Sequence, residues 1–233
     1  VPAPVPDRFT SNFTHSTAIA SRPPIIAPVG SAGRKEISLN RTTSLTASEI
    51  VGPTLYYLVF IIVGTAIFTF LPDSHLWRQI DLTLFYAGPV PVTVFNLLHL
   101  AIGFPAYLYG SLAQRSAAYQ RSDPERRAAR GPAYLVTDGL YGQVRHPMYG
   151  MFMLTNMAML FSLCSYFAMG LALLILGIFF LNGITEEKTI LIPHFEDQYR
   201  DYMKKVPARF FTPSVAFYIA VMILFSIVGY LLR

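Results

Sequence analysis

The sequence predicts an all-α, polytopic membrane helix bundle of about five transmembrane helices, preceded by an extended N-terminal arm. Composition is the first observation behind this. Over 233 residues, 53% are hydrophobic and 13% charged, with a mean hydropathy of +0.45, a departure from the soluble average toward membrane spans. The second observation is a set of uncharged apolar runs, residues 51–71, 166–184 and 214–232, each about long enough to cross a ~30 Å hydrocarbon core as a helix. The third is charge placement. Sixteen of the eighteen Lys and Arg fall in the arm, the 111–146 loop and the 185–211 loop, leaving Arg78 and Arg233 for the opposite side, which is the positive-inside pattern.

The elements follow in chain order. Residues 1–45 form a Pro/Ser/Thr-rich arm without helical or strand period, too polar to order itself by burying apolar surface. An ordered arm therefore implies other protein subunits, and the last span offers them a second contact surface. The chain starts at Val1 rather than Met, and the bias of its first residues is like a processed transit region. The expectation is an organellar protein of the mitochondrial inner membrane, with its N-terminus on the matrix or cytosol side. On that side the sequons at Asn12 and Asn40 receive no glycan. Residues 46–233 form the membrane domain, opened by a capping pattern at Thr46 and Glu49, with spans at about 51–71, 82–110, 147–165, 166–184 and 214–232. Pro89 and Pro91 break the start of the second.

Several function classes drop out. No phosphate-binding loop or dinucleotide glycine motif is present, the basic residues lack the aromatic interleaving of nucleic-acid binders, and His15, His99, His146 and His194 lack metal-ligand spacing, so no metal site is predicted. Cys164 cannot form an internal disulfide. Asn96 and His99, three apart on one helix face, read as a helix-to-helix hydrogen-bonding pair. Met148, Met151, Met153, Met157 and Met159 read as adaptable packing, Arg126, Arg127 and Arg130 as topological or lipid-facing charge, and His75 with Trp77 as an interface anchor.

The informative stretch is Leu135–Gly150. Gly139 permits close backbone approach, Tyr141 and Tyr149 are aromatic, and Arg145-His146 precedes Pro147, which sits where a first helical turn needs no amide donor. A guanidinium binds a carboxylate with two prongs, and an imidazole shuttles protons near neutral pH. Beyond a helical hairpin come Glu186-Glu187, then Phe195, Tyr199, Tyr202, Val206-Pro207 and Arg209-Phe210. Ionisable groups facing one another at a membrane edge mark a functional site.

In this order the residues resemble the isoprenylcysteine carboxyl methyltransferase and phospholipid methyltransferase superfamily, over about 135–210. The resemblance implies an S-adenosylmethionine cofactor at the membrane edge and an acceptor entering from membrane lipids, a prenylcysteine carboxylate or a phospholipid amine. It places Gly139, Tyr141, Arg145, His146, Tyr149, Glu186, Glu187 and Tyr199 around the cofactor, with Arg145, His146 and Glu187 closest to the chemistry. The alternative it leaves is a noncatalytic accessory subunit of an organellar membrane complex that retains the fold. Three departures from the family pattern stand out. Met151 replaces a glycine and is expected to fill cofactor space; Glu196 replaces the glycine of Phe-Gly. The chain also has one extra residue between Glu-Glu and Phe195, which either a helix bulge absorbs or which puts Lys188 in a carboxylate's place, since one residue turns a helix by about 100°.

Overall fold

The structure, a computed structural model, describes residues 47–69, 71, 74–88, 90–122 and 134–232, which belong to a compact unit spanning Ser44–Arg233. The arm, both sequons, Thr46 of the capping pattern and Arg126, Arg127 and Arg130 lie outside the described residues. The described chain is an all-α membrane bundle with one small hairpin: α1 (Ala47–Thr69), β1 (Thr83–Ala87), β2 (Val90–Thr93), α2 (Val94–Ser122), a 3₁₀ turn (Gly139–Gly142), α3 (Pro147–Phe161), α4 (Tyr166–Glu186), a π-helical turn (Glu187–Leu191), α5 (Ile192–Lys205) and α6 (Pro213–Leu231). Among the described residues, three stretches are long and apolar enough to cross a membrane: Glu49–Phe68, the continuous Tyr166–Lys205 run and Pro213–Leu231. The 15-residue α3 is only about 22 Å long, and most of its surface is buried by its neighbours.

The second expected span is corrected. Residues 83–87 and 90–93 are strands and not helix; β1 and β2 pair antiparallel, with Thr83 opposite Thr93 and Ala87 opposite Val90. Pro91 cannot donate within a helix, and the flanking Thr83, Val90, Val92 and Thr93 are β-formers. Helix α2 then starts at Val94 behind a reciprocal cap. The Asn96 amide donates to Thr93 Oγ1 at 3.1 Å and the Thr93 amide to Asn96 Oδ1 at 3.3 Å, so Asn96 closes a helix end rather than serving a site. The helix runs past residue 110 to Ser122 and carries Arg115, Gln120 and Arg121 toward the opposite end of the bundle.

The core lies between α2 and α3. Helix α2 buries His99, Gly103, Ala106, Tyr107, Gly110 and Ala117, a three-to-four-residue spacing that makes one continuous face. Against it α3 buries Met151, Leu154, Met157, Ala158 and Phe161. Met151, 1% exposed, is thus part of the core. His99 donates Nδ1–H to the Phe161 carbonyl at 2.7 Å and accepts from Trp77 Nε1 at 3.0 Å, which is the helix-to-helix role its position suggests. Trp77 is corrected from an interface anchor: it is 3% exposed, stacked on Phe95 at 4.0 Å.

Two loops meet at this end of the bundle. Leu76 N donates to the Cys164 carbonyl at 3.0 Å and Tyr166 N to the Ser74 carbonyl at 3.1 Å, while the Tyr166 ring lies 5.8 Å from that of Tyr230 near the end of α6. Residues 74–81, the 162–165 turn and the C-terminus of α6 therefore share one end, as the charge distribution requires. The segments preceding α3 and following α4 share the other.

Candidate active site

At that other end, Pro147 occupies the first turn of α3, so the chain enters the helix directly from Arg145-His146. The segment after α5 folds back along these two residues. Arg145 N donates to the Ala208 carbonyl at 3.0 Å and His146 N to that of Arg209 at 2.8 Å. Arg145 Nη1 donates to the Val206 and Pro207 carbonyls at 2.8 and 2.9 Å, two oxygens at and just past the C-terminal end of α5, where no further helical turn supplies amide donors. Close approach of this strap needs Gly150, because a Cβ there would collide with the Phe210 carbonyl oxygen. The glycine displaced by one position in the motif therefore serves backbone packing.

Glu187 is the centre of the cluster. Its side chain is 2% exposed. Oε1 accepts from Arg145 Nε at 2.8 Å, His146 Nε2 at 3.1 Å and the Tyr199 hydroxyl at 3.2 Å, and Oε2 from Arg209 Nε at 2.9 Å. Both oxygens are engaged by protein donors. Charge-assisted bonds of this kind are the strong ones, and a buried carboxylate is tolerable only when so compensated.

His146 is oriented by the same network. A carboxylate only accepts, so Nε2 carries the proton. Nδ1 then presents its lone pair, with Glu186 Oε2 3.9 Å away. Burial pushes the imidazole below its ordinary pKa, partly opposed by the Glu187 and Glu186 carboxylates. The neutral form is the resting one at neutral pH.

The one-residue excess after Glu-Glu appears as the π-helical turn Glu187–Leu191, the kind of single-turn insertion that absorbs an extra residue within a helix. Glu187 therefore keeps its inward direction and Lys188 is exposed, so no lysine takes the carboxylate's place. Glu196, at the family's glycine position, has φ 46° and ψ −121°, a conformation glycine adopts freely and other residues adopt at a cost of about 1–3 kcal/mol.

A cavity of about 510 Å³ opens beside this network, within the range of small-ligand sites. Among its walls are Tyr141, Arg145, His146, Tyr149, Glu186 and Tyr199, so six of the eight expected residues converge on it. Glu187 lies behind the wall as its support. Gly139 (φ +60°) packs on Gln120 of α2, where a Cβ would collide with the amide, and the neighbouring Leu140 N donates to Gln120 Oε1 at 3.2 Å; its placement concerns helix packing rather than ligand approach.

Several walls had no assigned role: Arg121 from α2, Tyr134, His194, Phe195 and Tyr202. Tyr202 also donates its hydroxyl to the Tyr141 carbonyl at 2.6 Å. The Tyr199-to-Tyr202 spacing, one helical turn, could have flagged the second ring. Arg121 gives no sequence signal, since α2 brings it from a distant part of the chain. Arg209 stood in the motif without a role, and its contact with Glu187 depends on the fold-back of the strap.

Comparison with known proteins bears out the resemblance. Residues 128–193 match the model of the isoprenylcysteine carboxyl methyltransferase (ICMT) family. The chain is also similar to a protein-S-isoprenylcysteine O-methyltransferase of Schizosaccharomyces pombe, 40% identical over 74 residues. That match covers 32% of this chain and 31% of the relative, so the chain spans about a third of the length of the curated relative it matches. No solved structure matches the chain.

Proposed function

We propose that this membrane protein is an S-adenosylmethionine-dependent methyltransferase that esterifies a prenylcysteine carboxylate at the cytosol- or matrix-facing membrane edge. The carrying observation is the cavity beside the Arg145–Glu187–Arg209 network, walled by an oriented neutral imidazole, a carboxylate and several aromatic rings. The donor set suits the cofactor. Tyr141, Tyr149 and Phe195 offer faces for a nucleobase, while Glu186 and Arg121 supply opposite charges for an amino-acid end. When bound, S-adenosylmethionine supplies an electrophilic methyl that a carboxylate oxygen takes without any proton changing hands.

The protein's own residues then act by placement. Glu187 is a positioning residue: it fixes the tautomer of His146 and ties the α3 entrance to α4 and to the strap after α5. His146 turns its Nδ1 lone pair toward Glu186 and the cavity and, being neutral, adds no positive charge next to a cationic donor. Positioning of a reactive pair accounts for much of such catalysis. A phospholipid amine would need a base to take its proton, a part His146 Nδ1 could serve, but the named relative's acceptor favours the carboxylate. No observation among the described residues favours the accessory-subunit reading.

Isothermal titration of the purified protein with S-adenosylhomocysteine tests this. Wild type should bind, and His146→Ala and Glu186→Ala should each weaken binding by about tenfold, or about 1.4 kcal/mol. Absence of heat from a folded wild type would remove the enzyme reading.

A further inference from the structure

A separate cavity of about 390 Å³ lies at the end of the bundle away from the Arg145–Glu187 cluster, within the range of small-ligand sites. The end of α1, the 74–81 loop, the β1–β2 hairpin and the 162–165 turn form its walls. Among the described lining residues the charged side chains are Asp81 and Arg78, with the His75 imidazole beside the carboxylate. None of the three takes part in the site at the other end.

Asp81 is the unusual member. Its side chain is 4% exposed, and its two oxygens differ. Oδ1 accepts from the Phe95 amide at 3.2 Å, in the first turn of α2, which fixes the carboxylate in place. Oδ2 accepts no hydrogen bond among the described residues. His75 Nε2 stands 3.4 Å from it but out of hydrogen-bond alignment. His75 Nδ1 accepts from the Trp77 amide at 3.3 Å, so the neutral ring carries its proton on Nε2, and that nitrogen too makes no hydrogen bond. The ring is the movable screen over Oδ2, since its side chain is 32% exposed. A buried carboxylate oxygen without a donor is costly, and a ligand that brings one relieves the cost.

We infer that this cavity holds the headgroup of a zwitterionic phospholipid, its primary ammonium on Asp81 Oδ2 and its phosphate toward Arg78. The lining offers one charge of each sign, which a zwitterion answers completely and an anionic headgroup leaves half unanswered. A primary ammonium brings three N–H donors, whereas a trimethylammonium brings none, so aminoethyl is selected over choline. A guanidinium suits the phosphate. The hairpin brings lipid to the cavity. Leu82, Leu84, Phe85 and Tyr86 are exposed, an apolar patch that water disfavours, while the outer edges of a two-stranded sheet cannot lie in hydrocarbon. The headgroup layer satisfies both demands. Phe68 and Leu71 of the α1 end and Val90 and Pro91 of the hairpin give the lipid an apolar exit. A lipid held here lies at the opposite end from the cofactor cavity, so its amine is not presented for methyl transfer, and the inference stands apart from the methyltransferase reading.

Retention of added lipid by the full chain tests it. The protein is purified in detergent, and phosphatidylethanolamine, phosphatidylcholine and phosphatidylglycerol of matched acyl chains are added to wild type, Asp81→Asn and Arg78→Gln. Native mass spectrometry reads the bound lipid, and melting temperatures report folding. Wild type should retain phosphatidylethanolamine about tenfold better than either other lipid and be stabilised by it. Asp81→Asn keeps an oxygen for the Phe95 amide and should lose the preference for phosphatidylethanolamine over phosphatidylcholine. Arg78→Gln, at an exposed position, should retain phosphatidylethanolamine about tenfold less well, and it decides the matter if Asp81→Asn does not fold. Equal retention of all three lipids by wild type, or retention by either folded variant that matches wild type, would overturn the inference. Glycerophosphoethanolamine, the same headgroup without chains, should compete weakly; competition as strong as that of the lipid would overturn the lipid assignment.

Discussion

A carboxylate held by two guanidiniums, an imidazole and a phenol has one tolerable charge state, and at this site that constraint falls on Glu187. Glu187→Gln removes the charge and leaves Arg145 buried without a counter-ion, so the expected loss is about 3–5 kcal/mol, read as a fall in thermal stability in detergent. Lys188→Ala, at an exposed position on the next residue, should leave stability unchanged. His146 makes a pH prediction. Its imidazole is held below the ordinary value by burial, so the unfolded chain takes up the proton more readily than the folded one. Its contribution to stability is complete above the ordinary pKa of about 6.5 and is lost as pH falls through the lower folded-state value. Protonation would place a third cation beside Arg145 and Arg209, with Glu187 already engaged and only Glu186 left to answer it. Acidification from neutral pH should therefore lower the melting temperature of wild type more than that of His146→Asn. Sequence alone singles out Arg145, His146 and Glu187 because their types and order are unusual at a membrane edge. Arg121 and Arg209 escape it because their roles are created by tertiary approach.

At the scale of elements, the π-helical turn and the kink at Glu196 are linked features of one helical run. The turn absorbs the extra residue, and the positive φ at Glu196 is strain that glycine would relieve. Glu196→Gly should raise stability by about 1 kcal/mol whereas Glu196→Ala should not, a contrast that melting temperatures can resolve. The apolar runs of α1, α4 and α6 were legible from their length and lack of charge. The hairpin between Thr83 and Thr93 was not: its residues are uncharged like those of a span, and reading by charge passes over the β-branched residues and Pro91 that decide its conformation. Trp77 was misread for a related reason, since an aromatic residue in a loop looks like an anchor until the loop folds onto the bundle end. Met151 looked intrusive only while its direction was unknown, and α3 turns it toward α2.

Across the whole of the described bundle, the two ends differ in charge. One end ties residues 74–81 to the 162–165 turn through backbone hydrogen bonds; the other gathers the Arg145–Glu187 cluster and the cavity walled by His146, Tyr149 and Glu186. Cysteines introduced at the exposed positions Asp197 and Gln79 should react with an impermeant maleimide from opposite sides of the membrane, Asp197→Cys from the cytosol or matrix side, while buried Cys164 stays silent. Labelling of both from one side would refute the topology. The central claim is catalytic, and transfer of a radiolabelled methyl from S-adenosylmethionine to S-farnesylcysteine tests it most directly. Purified wild type should form a base-labile methyl ester and Glu187→Gln should form none. A folded wild type that binds the farnesylcysteine yet transfers no methyl would contradict the account.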